Sequence, residues 1–163
     1  TEREFLLSGL DSSDPLVREA AAFSTSFMND PADERLLLAH IDDESATVRR
    51  HLVRALGVHH TSAAGLHALV EVLRHDLDHD VANVAVGTLT RYGPAVLEPV
   101  LEQLPLEADW VRRQRLVQAL GHPDVLAGLD QDSEYRLWQW FEEGETNADV
   151  KAALARLLKD LES

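Results

Sequence analysis

Apolar and polar positions along this chain follow one arrangement that returns five times. A polar turn leads to a capping Asp, Ser or Asn, then a valine, usually a basic residue, and a run of Ala, Leu and Val. The anchoring valines are Val17, Val48, Val81, Val111 and Val150, separated by 31, 33, 30 and 39 residues. Within the runs the apolar residues fall at i, i+3/i+4 and i+7/i+8. Val48, Leu52, Ala55 and Leu56 show this, as do Val150, Ala153, Leu154, Leu157 and Leu158. That is the period of an amphipathic helix. A short helical unit cannot bury such a stripe alone and does so by stacking on its neighbours. The pattern therefore predicts an all-α stack of about five helix pairs in a single domain over residues 1–163. Its units fall near 1–29, 30–60, 61–93, 94–122 and 123–163.

Turn residues place the helices. Asp11-Ser12-Ser13 separates a helix ending at Leu10 from a second one opened by Asp14 as N-cap and Pro15 at its first position, running to about Met28. The next pair spans Asp33 to Ile41 and Ser45 to Leu56, closed by Gly57. The third spans Ala64 to Leu73 and Val81 to Tyr92, ended by Gly93. The fourth spans Pro94 to Leu104 and about Asp109 to Leu120. Its Ala-Leu-Gly ending comes one residue late against Ala55-Leu56-Gly57, which leaves two registers open. The fifth has Ser133 to Glu142, a break at Gly144, and a helix from Ala148 to about Leu161 capped by Asn147. Leu52 and Leu154 fall on the core face.

Asp14-Pro15-Leu16-Val17-Arg18-Glu19-Ala20-Ala21 and Asp43-Glu44-Ser45-Ala46-Thr47-Val48-Arg49-Arg50, closed by Ala55-Leu56-Gly57, resemble HEAT repeats. The likeness is to the short bacterial type shared with phycobilisome-lyase-like proteins, and it covers nearly the whole chain. It implies a right-handed α-α superhelix, a solenoid whose second helices line the concave side. It also implies a polar ladder, in which a turn Asp and the Arg after the Val bond between neighbouring units. Asp11, Asp42, Arg18, Arg49 and Arg112 match that pattern. Unit three departs from it, with His75 at the Asp position and Ala82 at the Arg position. The implied work is binding another polypeptide as a scaffold or adaptor, since this fold hosts many activities. The alternative is a lyase or chaperone-type accessory role toward a bilin or its carrier. HEAT-like hydroxylases hold two irons with His-Glu dipeptides, which this chain lacks. HEAT-like alkylpurine DNA glycosylases use Trp, Asp and Arg in a basic groove. Asp109, Trp110 and Arg112 offer those residue types.

Charge narrows the choice. With 15 Lys/Arg against 29 Asp/Glu the net charge is −14, which opposes the glycosylase reading and nucleic-acid binding generally. The chain has no cysteine and so no thiolate chemistry. No apolar run reaches membrane-span length, and no catalytic signature stands out. A cytoplasmic monomer or weak dimer without cofactor or membrane partner is the expectation, and the Arg-rich, Lys-poor usage suggests a bacterial source.

Three constellations are candidates for chemistry. Arg49, Arg50, Arg54, Arg112, Arg113 and Arg115 sit on second helices, where forked guanidinium bonds could hold an acidic peptide, a carboxylate or a phosphate. The competing reading assigns Arg49 and Arg112, with Arg18, to the ladder and pairs the others with nearby Asp and Glu. In the aromatic run Tyr135, Leu137, Trp138, Trp140 and Phe141, the two tryptophans lie about 200° apart around a helix. Either that helix is buried on two sides, or one Trp is exposed, with Trp140 then a partner anchor. Finally, His75-Asp76-Leu77-Asp78-His79-Asp80 and His59-His60 carry metal-ligating side chains, but their spacing matches no metal motif and Asp78 serves as an N-cap. No metal is expected there.

Overall fold

The computed structural model describes residues 1–28, 30–59 and 62–161, apart from the His59 side chain. Five side chains start the second helices. Asp14 accepts the Leu16 N–H, Asp78 those of Asp80 and Val81, Asp109 those of Val111 and Arg112, and Asn147 those of Asp149 and Val150. The Ser45 hydroxyl accepts from Val48. Each satisfies donors that the first helical turn leaves open. The helices that follow are α2 (Pro15–Thr25), α4 (Ala46–His59), α6 (His79–Leu89), α8 (Trp110–Leu120) and α11 (Ala148–Leu161). Each is paired with a first helix: α1 (Glu2–Ser8), α3 (Glu34–Ala39), α5 (Ala63–His75), α7 (Leu97–Gln103) and α10 (Gln131–Gln139). A further one-turn helix, α9 (Pro123–Leu126), lies between α8 and α10.

Several helix boundaries differ from expectation: α2 ends at Thr25 and not near Met28, and three further differences have a visible cause. Gly57 does not close α4 but lies inside it. A β-carbon there would stand 2.4 Å from the Thr88 methyl, so this glycine lets α4 and α6 approach closely. Three-ten turns carry the chain over Thr90–Val96, and Gly93 takes a φ of 55° there, a backbone state open to glycine. α10 widens into a π-turn over Trp140–Gly144 before the last unit begins.

One continuous apolar cluster runs from Leu10 to Leu158. Counted from the N-caps, the seventh residue of each second helix is buried: Ala21, Leu52, Ala85, Leu116 and Leu154. The eleventh is buried as well, from Thr25 to Leu158. The helical phase read from the valines thus holds at Leu52 and Leu154. α2 packs on α4, α4 on α6, and α8 on α11, while α8 leans on α5 as well as on α6. The first helices touch one another less and leave hollows, one of about 660 Å³ between α7 and α10. Among the described residues no helix is long and apolar enough to cross a membrane.

Candidate interaction surface

The polar ladder exists, with Arg18 and Arg49 in it as the sequence suggested and other residues in place of Asp11, Asp42 and Arg112. Arg18 Nε donates to Asp43 Oδ2 at 2.8 Å and Nη2 to Glu44 at 2.7 Å. Arg49 holds Asp76 through Nε at 2.7 Å and Nη2 at 2.9 Å. Arg113 holds Glu145 in the same forked way, at 2.7 and 2.9 Å. Each arginine also donates Nη1 to two carbonyls of its own preceding turn: Ser12 and Ser13, Asp43 and Glu44, Glu107 and Ala108. Each partner carboxylate accepts a further N–H from the N-cap two residues on, at Ser45, Asp78 and Asn147. One arginine thereby pins its own turn to the turn of the next unit.

Arg112 is therefore displaced from the ladder by Arg113, because the register is set by Asp109 and not by Val111. Asp42 is an exposed turn residue, and Asp11 faces His40 Nε2 at 3.0 Å instead of an arginine. At unit three the ladder acid is Asp76, not His75. The arginine gap at Ala82 is real. Glu107, which that unit would have held, is taken by Arg74 from α5 at 3.0 Å. Arg115 reaches back to the carbonyls of Leu73 and Asp76, where α5 ends.

This use of arginine divides the candidate set. Arg49 and Arg113 are committed to the ladder, and Arg115 caps α5. Arg112 is half-buried, 4.0 Å from Glu107. Arg50 and Arg54 make no salt bridge among the described residues. They line a hollow of about 410 Å³ between α4 and α6, together with His51, Asp80, Asn83 and Val84.

Aligning the units by their N-caps exposes a column that the valines obscured. The ninth residue after each cap is Phe23, Arg54, Gly87, Gln118 and Arg156, and all five are exposed. Phe23 is 50% and Phe27 71% exposed. Their rings meet edge-on at 5.2 Å, and Phe23 meets the His51 ring at 5.4 Å. Burial first, then Arg50 and Arg54, hold the His51 imidazole below the usual histidine range, opposed in part by Glu19. It is therefore neutral at pH 7, and its buried Nδ1 has no partner among the described residues. Charge is divided the same way. The second helices carry ten of the fifteen Lys/Arg but four of the twenty-nine Asp/Glu.

The tryptophan alternative resolves toward burial on two sides. Trp138 and Trp140 are both half-buried, and the exposed aromatic of α10 is Tyr135. The Trp140 ring lies over Gly144, where a β-carbon would stand 2.2 Å away, and the π-turn makes room for it. Trp138 packs edge-on to Phe141 at 5.8 Å, and Lys151 Nζ lies over the Phe141 ring at 5.1 Å from its centroid. In the acidic turn, Asp76 serves the ladder and Asp78 the α6 cap. His60 and the His59 side chain lie outside the described residues.

Stacked helix pairs joined by an arginine–carboxylate ladder define an α-solenoid. Residues 34–121, more than half of the chain, match the family model for HEAT repeats, and the chain belongs to that family. Its fold is similar to that of an engineered protein whose crystal structure was determined by the Northeast Structural Genomics Consortium. The TM-score is 0.53 at 18% identity, over 99% of this chain and 48% of that one. The chain thus spans about half the length of that structure, and at this identity the likeness concerns the fold. No curated protein matches the sequence significantly. Phe23, Phe27, His51 and Gly87 were missed from sequence, although counting from the caps would have aligned two of them with Arg54.

Proposed function

We propose that this HEAT-repeat protein works as a binding scaffold that holds a partner polypeptide along the exposed face of its second helices. HEAT repeats generally mediate protein–protein interaction. The observation that carries the reading here is Arg50 and Arg54, half-buried and exposed, without a salt bridge among the described residues, and flanking a hollow on a chain of net charge −14. The ladder arginines each grip a carboxylate, whereas these two make no salt bridge among the described residues, and Asp80 is the one acid lining their hollow. A partner that brings carboxylates would supply them.

Affinity capture from source-cell lysate tests this, with the wild type beside an Arg50→Glu/Arg54→Glu variant. Arg113 stays intact in that variant, because it holds the last unit in place. The expected result is a polypeptide kept by the wild type and released by the folded variant. Equal retention by both would remove the second-helix face as the site.

A further inference from the structure

Gly87 has no structural reason to be glycine. It lies inside α6, exposed, with no positive φ, and a β-carbon added there would meet nothing within 4 Å. Glycine in a helix interior is less stable than alanine. Other glycines here have packing to explain them: Gly57 against Thr88, Gly65 against Tyr92, Gly128 against Pro94, Gly144 against Trp140. Gly87 leaves bare backbone beside Arg54 in the exposed column. On the other side of Arg54 that column places Phe23, in contact with Phe27 and His51. Aromatic surface, two guanidiniums without a salt bridge among the described residues, and bare backbone therefore follow one another across α2, α4 and α6, which pack side by side.

We infer that the partner segment is an extended acidic strand bearing one large apolar side chain. That side chain rests on Phe23, Phe27 and the His51 ring. Carboxylates follow at Arg50 and Arg54, and the strand's backbone passes over Gly87. Three neighbouring helices at 8–10 Å spacing span about 20 Å, which about six extended residues cover. Charge complementarity selects this occupant, since the hollow sets two guanidiniums against the single Asp80 carboxylate. A basic segment would meet Arg50 and Arg54, and a purely acidic one would leave the exposed phenylalanines uncovered. The inference rests on the scaffold reading and specifies its partner.

Fluorescence anisotropy with three labelled eight-residue peptides tests it. One alternates Glu and Ser with a single Trp near one end, the second replaces the Trp with Ser, and the third replaces every Glu with Lys. The Glu/Trp peptide is expected to bind the wild type about tenfold more tightly than either control. Phe23→Ser should abolish the advantage of the Trp peptide over the Ser peptide, and Arg54→Glu should abolish binding of both. Gly87→Gln copies Gln118, the equivalent residue of α8, and so keeps a side chain the fold already accepts. It should leave the circular dichroism intact and the melting temperature no lower, since Gln favours a helix interior over Gly, while weakening the Glu/Trp peptide about tenfold. Gly87→Ala should bind like the wild type. No preference for the Glu/Trp peptide, or full binding by Gly87→Gln, would overturn the inference. Such a result beside a lysate protein released by the Arg50→Glu/Arg54→Glu variant would leave the scaffold reading standing and reject this partner. Loss of the lysate result as well would reject both.

Discussion

Arg113 and Arg54 are the same residue type on equivalent helices, and the structure gives them opposite energetic roles. Arg113 lies against the fully buried Glu145 carboxylate, with two bonds to it and two to backbone carbonyls. Removing one member leaves the other desolvated and unpaired. Glu145→Ala should therefore destabilise by about 3 kcal/mol in urea unfolding. Arg54→Ala should stay within about 0.5 kcal/mol, since the side chain is exposed and unpaired. Equal effects would refute the division between ladder and free arginines. Acid should act through the same contacts. Burial raises the carboxyl pKa values of Asp76 and Glu145, but bonds from Arg49 and Arg113 and from backbone N–H groups outweigh it and lower both. Carboxyls depressed in the folded state stabilise it above their unfolded pKa, and that contribution fades as pH falls through the folded value. Stability should therefore hold down to about pH 4 and decline below it. Asp76→Asn should flatten that decline in an acid titration followed by circular dichroism. From sequence the ladder was visible as a type of contact, with Arg18 and Arg49 correctly named, but its acids and its arginine in unit four were not. Val111 looked like the anchor of unit four, while Asp109, whose side chain caps the helix, sets the count and brings Arg113 to the ladder position.

At the scale of the element, the second helices were legible and their surroundings less so. Capping residues and an apolar period of 3.6 are local properties, so α2, α4, α6, α8 and α11 could be read directly. α9 and the π-turn at Trp140–Gly144 were not seen. An added turn inside a loop changes spacing without changing pattern, and the last interval alone hinted at it. Gly57 shows a different limit, since its role depends on how near α6 comes. Gly57→Ala would drive a methyl into Thr88, and overpacking of this kind should destabilise by about 1–3 kcal/mol. Gly87→Ala should do the reverse, stabilising by about 0.5–1 kcal/mol, because α6 would gain helix propensity without a clash. Leu52→Ala, emptying a fully buried site, should destabilise by about 2–5 kcal/mol. Thermal melts of the three variants check these signs together. Stabilisation by Gly57→Ala would mean that α4 and α6 stand farther apart than described.

Across the whole molecule the ladder is continuous except at one junction. Between units one and two, two and three, and four and five, an arginine of the second helix grips the next turn. Between units three and four Ala82 cannot, and the link is Arg74, reaching from the end of α5 to Glu107. Arg115 reinforces that link from the other side, tying α8 to the carbonyls at the end of α5. The same junction is where α8 packs on α5 besides α6. In a one-dimensional stack, cooperativity depends on the weakest interface exceeding the intrinsic instability of the units on either side. The shared apolar cluster should make the wild type unfold in a single transition, with calorimetric and van't Hoff enthalpies equal. Arg74→Ala removes the direct ion pair while leaving each unit's own core untouched, and it leaves the Glu107 carboxylate, whose side chain is 5% exposed, with the Asp109 N–H and the more distant Arg112. The expected calorimetric result is a van't Hoff enthalpy below the calorimetric one, or two resolved steps, with units four and five separating from the rest. A single sharp transition merely shifted to lower temperature would show that apolar contacts between α8 and its neighbours carry the coupling without the arginine. The exposed column from Phe23 to Gly87 lies wholly in units one to three. Peptide binding there should therefore survive in the Arg74→Ala protein at temperatures where units four and five have already melted.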